Sequence, residues 1–163
     1  MSEPRIPAAT GGCQCGAVRY ALYALPEGSV CHCRMCQKAV GGPFAALAKL
    51  GKSDLVWTRG TPAAFRSSAS GFRDFCAACG TPLTFRYADA AHMEVTIGSL
   101  DDPAAVPARK NFGTESRLAW VADLVPGVLP DMTSDQLPAR NRTSRQHPDY
   151  DTPDGWNPPM VEG

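Results

Sequence analysis

Three tight clusters of cysteines constrain this chain more than any other feature of its 163 residues. A structural zinc ion is held by four protein ligands, whereas a catalytic zinc ion is held by three and keeps a fourth position open for water or substrate. Two of the clusters are pairs that together offer four thiolates, and the middle cluster offers three. The sequence therefore predicts two zinc ions per chain, one of them open. The clusters, which contain all seven cysteines, are Cys13-x-Cys15, Cys31-x-Cys33-x-x-Cys36 and Cys76-x-x-Cys79.

The last pair has the form of a zinc knuckle, in which two intervening residues let Cys76 and Cys79 face one ion and Gly80 allows a tight turn. A second pair must complete such a site, and Cys13 and Cys15 stand among glycines that permit it. Other partitions, such as Cys13 and Cys15 with two cysteines of the middle cluster, leave a thiolate stranded beside the metal. The division into four and three is the simplest.

The middle cluster places Cys31, Cys33 and Cys36 within six residues, so one loop can turn all three sulfurs toward one ion. His32 is an alternative fourth ligand, although in an extended segment its side chain alternates away from both flanking cysteines. Two further alternatives are that this cluster binds no metal, or that a fourth protein ligand makes it a second structural site. An odd number of closely spaced cysteines suits metal binding better than a disulfide framework.

Composition excludes several classes of function. Sixteen basic and sixteen acidic residues give a formal net charge of zero and a pI near 6.8, which favours neither nucleic acid nor an anionic membrane as a partner. Residues 1–12 lack the apolar core of a signal peptide, and no apolar segment approaches the ~20 residues that cross a bilayer. Because thiolate ligands must stay reduced, we expect a cytoplasmic protein without a membrane span.

Short apolar runs, separated by turn residues about every ten positions, predict a mainly β domain of antiparallel strands. The segment after Cys33 instead predicts one short helical turn that contains Cys36 and is stopped by Gly41 and Pro43. Strands are predicted at residues 17–23, 44–50, 55–58, 63–67, 72–75, 83–87, 93–97 and 116–121.

The chain divides into an N-terminal arm at residues 1–10, a zinc-binding domain at 11–124 and a proline-rich tail at 125–163. In the tail, prolines recur and no apolar periodicity supports a second core. We expect the tail to wrap the domain or to be partly disordered. Trp156 is its one large apolar anchor, either on this chain or on a partner.

Four segments carry a family resemblance: GGCQCGAVRY at residues 11–20, CHCRMC at 31–36, FCAACGTPL at 75–83 and GSLDDP at 98–103. Together they resemble the glutathione-dependent formaldehyde-activating enzyme family, which also contains centromere protein V. The resemblance covers about residues 11–121. The order and spacing of the segments make it far more specific than a single Cys-x-x-Cys.

The resemblance implies the β-tent fold, two antiparallel sheets with zinc at their junction, and a zinc-dependent carbon–sulfur lyase activity. The namesake reaction joins formaldehyde to glutathione as S-(hydroxymethyl)glutathione, so a small thiol and an aldehyde are the implied partners. A homodimer is compatible with the sequence. The implied ligands are Cys13, Cys15, Cys76 and Cys79 for the structural zinc and Cys31, Cys33 and Cys36 for the second, catalytic zinc.

The chain departs from the family at Asn111, where relatives often have a histidine. Asparagine cannot act as a general base near neutral pH, so the role of that histidine is not carried over. His32 is the predicted proton donor to the alkoxide that forms when a thiolate attacks an aldehyde. Arg34 and Lys38, beside the middle cluster, are either a solvated basic face or partners of the two glutathione carboxylates.

Two other classes of function stay open on the sequence. In the first, both metals only hold the fold, and the chain is a zinc-stabilised interaction module without catalysis. In the second, the middle cysteines release zinc and form a disulfide, as in a thiol redox switch.

Overall fold

The computed structural model describes residues 5–130, 132–136 and 144–157. Within these residues the chain is mainly β, as predicted, with ten strands and one α-helix. The strands are β1 (Ala9–Gly12), β2 (Arg19–Leu22), β3 (Glu27–Cys31), β4 (Ala45–Gly51), β5 (Leu55–Arg59), β6 (Ala63–Arg66), β7 (Gly71–Phe75), β8 (Pro82–Tyr87), β9 (His92–Thr96) and β10 (Ala108–Phe112). They form a three-stranded sheet, ordered β1-β2-β5, and a seven-stranded sheet, ordered β10-β3-β4-β9-β8-β7-β6.

Seven of the eight predicted strands are confirmed, but the predicted strand at residues 116–121 is wrong. That part of the chain forms two short 3-10 turns, Thr114–Ser116 and Ala119–Asp123. The last strand is β10, which pairs parallel to β3 and so departs from the predicted antiparallel arrangement. All five residues of β10 are exposed, so it lacks the apolar alternation by which a strand is recognised.

Helix α1 (Arg34–Val40) carries Cys36, as predicted, and ends at the following glycine. It starts at Cys33, whose sulfur accepts a hydrogen bond from the backbone N–H of Cys36 at 3.4 Å. Cys36 packs with Leu47 of β4, and this contact lays α1 against the seven-stranded sheet. No helix in the described residues is long and apolar enough to cross a membrane.

Residues of both sheets form the main core. Tyr20 and Leu22 of β2 pack with Val95 of β9, and all three side chains are fully buried. Burial of one leucine or valine side chain contributes about 1.5–3 kcal/mol. Cys13 and Cys76 belong to the same core, at 3% and 1% exposure, so two of the predicted zinc ligands lie among its apolar side chains.

All four residues of strand β2 are buried, including Arg19. The Arg19 guanidinium donates to both carboxylate oxygens of Asp101, at 2.8 and 2.5 Å, and to Asp151 at 2.6 Å. These ion pairs offset the hydration that a buried charge loses. The GSLDDP segment, which supplies Asp101, therefore anchors the three-stranded sheet.

We expect Asp101→Asn to lower the free energy of unfolding by about 2–3 kcal/mol near neutral pH, because Arg19 then stays buried with a weaker partner. Burial raises the pKa of Asp101, but hydrogen bonds from Arg19 and Thr10 and the charge of Arg19 outweigh burial and bring that pKa below its ordinary value. The stabilisation is therefore complete above about pH 4 and is lost as the pH falls through the lowered pKa.

Urea unfolding at neutral and acidic pH measures this effect, and the wild type should lose more stability on acidification than the Asp101→Asn variant. Asp102→Asn is the matched control, since Asp102 is an exposed neighbour. An Asp101→Asn protein as stable as the wild type at neutral pH would contradict the proposed anchoring.

Residues 144–157, within the predicted tail, lie against the domain. The backbone N–H of His147 donates to the carbonyl of Gln14 at 2.7 Å, and the Trp156 ring lies 4.7 Å from the His147 ring. Trp156 therefore contacts its own chain. Three prolines of the predicted tail, Pro138, Pro158 and Pro159, lie outside the described residues, and the predicted domain boundaries stay predictions.

Candidate metal centres

The first candidate centre is the four-cysteine cluster, whose Sγ atoms all lie within 4.8 Å of one another. The Sγ atoms of Cys13 and Cys15 are 3.5 Å apart, and those of Cys15 and Cys76 are 3.8 Å apart. Four sulfurs at ~2.3 Å from a tetrahedral zinc ion are ~3.8 Å from one another, whereas a disulfide brings two sulfurs to ~2.05 Å. The free thiols therefore have the spacing of a metal site. The four members are Cys13, Cys15, Cys76 and Cys79.

Backbone turns position these thiols. Gly80 has a left-handed conformation, with φ of 77°, and its N–H donates to the carbonyl of Cys76 at 2.8 Å. The backbone N–H of Val18 donates to the Cys13 sulfur at 3.2 Å, and the Thr81 hydroxyl lies 3.2 Å from the Cys79 sulfur. Donors aimed at sulfur favour the thiolate form, which is the form that binds metal.

The thiol pKa values of this cluster diverge. Burial raises the pKa of Cys15 to about 12. Burial also acts to raise the pKa of Cys79, but hydrogen bonds from Thr81 and Cys15 outweigh it and lower that pKa to about 6. Neighbouring thiolates repel one another, so all four ionise together only when a cation lies among them. The donor set therefore fits a metal ion.

The second candidate centre is the three-cysteine cluster, formed by Cys31, Cys33 and Cys36, whose Sγ atoms also lie within 4.8 Å of one another. Cys31 ends β3, Cys33 caps α1, and Cys36 lies in the first turn of that helix. Cys36 is buried and the other two are half-buried. One strand end and one helix start therefore bring the three thiols together, as the spacing predicted.

Arg73 of β7 contacts this cluster and was not predicted. Its Nη2 donates to the Cys36 sulfur at 3.4 Å, and its guanidinium carbon lies 4.7 Å from the centre of the Phe85 ring. Burial acts to raise the pKa of Cys33, but hydrogen bonds from the backbone of Cys36 and from neighbouring thiols outweigh it and lower that pKa. Hydrogen-bond donors therefore favour the thiolate of Cys33, whereas burial raises the pKa of Cys31 to about 12.

The three-cysteine cluster opens on a cavity of about 220 Å³. This cavity continues into a groove of about 710 Å³ along α1, because Met35, Leu47, Arg73 and Phe85 line both. A cavity of about 390 Å³ also borders the four-cysteine cluster beneath residues 146–149, but four thiolates already complete a tetrahedral site there. A tetrahedral ion held by the three-cysteine cluster would keep one position free, and the cavity gives that position space for a ligand.

The predicted proton donor His32 is buried and lines neither the cavity nor the groove. Its side chain is 2% exposed, its Nε2 lies 3.0 Å from Oδ1 of Asn111, and its ring packs edge-on against Phe44. Neither of its ring nitrogens joins the group of candidate ligands among the described residues, and His32 lines neither the cavity nor the groove. Asn111, the position where the chain departs from its family, thus holds a buried histidine beside the cluster.

Arg34 and Lys38 are exposed on α1 and line the groove. The Arg34 guanidinium donates to the side-chain oxygen of Gln37 at 3.0 Å, which orients it along the helix. Together with Arg73, these residues give the groove three cationic side chains. The predicted contact of Arg34 and Lys38 with glutathione stays a prediction.

The fold and the site define a class, a mainly β protein with two cysteine clusters that could hold metal ions. A family model described as glutathione-dependent formaldehyde-activating enzyme matches residues 8–116, and the chain belongs to this family. The match confirms the resemblance found in the sequence.

Two relatives extend the comparison. A Schizosaccharomyces pombe protein named as an uncharacterized lyase is 32% identical over 83 residues, which are 50% of this chain and 60% of that protein. The chain therefore spans less than two thirds of this relative. A crystal structure of a Rhodobacter sphaeroides protein has a TM-score of 0.52 and 23% sequence identity, over 63% of this chain and 98% of that one. This second likeness supports the fold alone.

Proposed function

We propose that this chain is a zinc-dependent carbon–sulfur lyase-type enzyme that acts on thiol–aldehyde adducts, with S-(hydroxymethyl)glutathione as the first substrate to test. Membership of the formaldehyde-activating family and the lyase name of the Schizosaccharomyces pombe relative support this reaction class. The observation that carries the proposal is the three-cysteine cluster, which opens on a cavity and leaves one coordination position free.

In this proposal each chain holds two zinc ions, one in each cluster. When bound by three thiolates, a zinc ion supplies the Lewis acidity that keeps a substrate thiol deprotonated near neutral pH. Arg73 fixes the Cys36 sulfur from the opposite wall of the cavity, and its stacking on Phe85 holds the guanidinium in place. The walls of the cavity, including Met35 and Phe112, are mostly apolar.

The basic side chains of the groove suit an anionic thiol. Glutathione carries two carboxylates, and Arg34, Lys38 and Arg73 line the groove that leads from the three-cysteine cluster. Arg34 and Lys38 lie four residues apart in α1, so they are on one face of the helix. We assign these two residues to the carboxylates and the cavity beside the cluster to the reacting carbon and sulfur.

NMR exchange spectroscopy tests the reaction, because it follows free glutathione and its formaldehyde adduct at equilibrium. The zinc-loaded protein should accelerate their exchange above the spontaneous rate at substoichiometric concentration. An exchange rate that is unchanged by the protein, for this adduct and for adducts of other small thiols and aldehydes, would contradict the proposed function.

We expect the double substitution Arg34→Ser and Lys38→Ser to raise KM for the glutathione adduct about tenfold and to leave kcat nearly unchanged, because both residues bind ground state and transition state alike. The matched control removes Arg109 and Lys110, two exposed basic residues of β10 outside the groove. A KM that shifts equally in both double variants would show a general charge effect instead of a carboxylate contact.

One observation favours the alternative of an interaction module. Apolar side chains between residues 118 and 129 are exposed, including Trp120 at 50%, Val125 at 51% and Leu129 at 49%. Exposed apolar patches mark interaction surfaces, so this segment suits a protein partner or a second copy of the chain. The two functions can coexist, because this segment does not line the cavity of the three-cysteine cluster. A reducing, cytoplasmic location is part of both proposals.

A further inference from the structure

Glu94 lies in a row of side chains that crosses the seven-stranded sheet. The strand registers pair Arg73 with Phe85, Phe85 with Glu94, Glu94 with Lys49, and Lys49 with Glu27. Because residues that are directly paired on neighbouring strands point to the same face of a sheet, these five side chains share one face. It is the face on which the three-cysteine cluster opens.

The Glu94 carboxylate faces the candidate substrate cavity. That cavity is lined by all three cysteines of the cluster and by Arg73, Phe85 and Glu94. Among the residues that line this cavity of about 220 Å³, Glu94 is the one that carries a carboxyl group. His32, the proton donor expected from the sequence, does not line this cavity.

The carboxyl group of Glu94 differs in its partners from those of Asp74 and Asp101. Asp74 accepts hydrogen bonds from Arg86 and Thr84, and Asp101 accepts them from Arg19. Among the described residues, no side chain donates a hydrogen bond to the Glu94 carboxyl group or forms an ion pair with it, although Glu94 is half-buried. Burial raises the pKa of Glu94, and the charges of His92, Lys49 and Arg73 offset only part of that rise. An unpaired carboxyl group on a cavity wall is suited to proton transfer.

We propose that Glu94 is the catalytic acid and base of the reaction, transferring the proton of the adduct hydroxyl group. This inference rests on the proposed function. In cleavage, the Glu94 carboxylate accepts the hydroxyl proton, the oxygen lone pair forms the carbonyl double bond, and the carbon–sulfur bond breaks with its electron pair left on sulfur. In synthesis, the thiolate attacks the carbonyl carbon and protonated Glu94 donates its proton to the oxygen.

The direction of proton transfer sets the pH dependence. Cleavage needs Glu94 deprotonated, so kcat/KM for cleavage rises with pH through the Glu94 pKa, and synthesis falls over the same range. The titratable and charged groups that share the cavity or the row with Glu94 are Cys31, Cys33, Cys36, Glu27, Lys49, Arg73, Arg86, Tyr87 and His92.

The kinetic experiment compares three variants of the zinc-loaded protein. Glu94→Gln should slow cleavage about 100-fold and remove the acidic limb of the pH profile, because the amide cannot exchange a proton. Glu94→Asp should retain that limb with a partial loss of rate. Glu27→Gln is the matched control, since Glu27 lies at the far end of the same row and is 80% exposed. Wild-type rate and pH profile in Glu94→Gln would overturn the proposal and leave the proposed function standing.

Infrared spectroscopy supplies a readout that does not depend on turnover. The band of a protonated carboxyl group that is absent from Glu94→Gln reports the Glu94 titration directly, with and without the glutathione–formaldehyde adduct. We expect a pKa above the ordinary glutamate value and a shift of the band when the adduct binds. A band that titrates at the ordinary glutamate pKa and does not shift when the adduct binds would overturn the assignment of Glu94. This outcome can be read even if the protein proves inactive.

Discussion

The Cys76→Ser substitution should prevent the chain from reaching a stable native state, whereas Cys33→Ser should leave a folded protein without turnover. Cys76 is 1% exposed in the main core, and its cluster joins residues 13–15 to residues 76–79 across the domain. Structural zinc contributes about 10–16 kcal/mol in small peptides, which is as large as the whole stability of a typical domain. Loss of one ligand therefore removes most of what holds these two segments together.

Cys33 has a different setting. It is half-buried and belongs to a small side cluster, and all three ligands come from one short segment, residues 31–36. Removing its thiolate opens no core and separates no distant segments, so we expect a loss of stability below about 2 kcal/mol. We expect the proposed reaction to be lost, because two thiolates would hold a second ion poorly.

Metal content per chain, thermal unfolding and adduct exchange measure the difference. Cys33→Ser should retain one zinc ion and a cooperative transition, and Cys76→Ser should lose the transition itself. Ala77→Ser controls for the introduced hydroxyl, because Ala77 is an exposed residue between the same two ligands. Equal loss of stability in both cysteine variants would support the interaction module, in which both metals only hold the fold.

The local features of this protein could be predicted from its sequence because they depend on neighbouring residues. Cysteine spacing predicted both clusters, and the glycine after Cys79 predicted the turn that Gly80 makes. Short apolar runs separated by turn residues located seven strands. The parallel strand β10 was not predicted, because its exposed residues show no apolar pattern and its partner β3 lies some eighty positions earlier in the chain.

The rest of the site could not be predicted because it depends on strand register. Arg73 and Glu94 stand in different strands, and only the pairing of β7, β8 and β9 brings them to one face beside the three-cysteine cluster. Nothing near either residue in the sequence marks it as functional. His32, by contrast, was predicted to transfer a proton because it stands among the cysteines. Successive side chains of an extended segment point to opposite sides, and the His32 side chain points into the protein.

Gly113→Ala should abolish metal binding at the three-cysteine cluster while the four-cysteine cluster stays intact. Gly113 has a φ of 60°, and a Cβ atom there would lie 2.7 Å from the backbone nitrogen of Cys33 and 2.9 Å from its Cβ. Contacts this short force the backbone of one segment to move. The neighbouring hydrogen bond from the N–H of His32 to the carbonyl of Phe112, at 2.8 Å, transmits that movement to the metal loop.

The displacement matters because three ligands have no redundancy, so a shift of one thiol by about 1 Å lowers both affinity and turnover. We expect Gly113→Ala to retain one zinc ion of two, to lose adduct exchange at least tenfold, and to lose about 1–3 kcal/mol of stability. Gly127→Ala is the matched control, since Gly127 is also left-handed, with a φ of 82°, but has nothing within 4 Å of the added Cβ. It carries only the backbone cost of about 1–2 kcal/mol and should keep both metals and full activity. Two zinc ions and normal exchange in Gly113→Ala would show that the loop tolerates the movement, and the close packing of Gly113 against Cys33 would then have no part in the reaction.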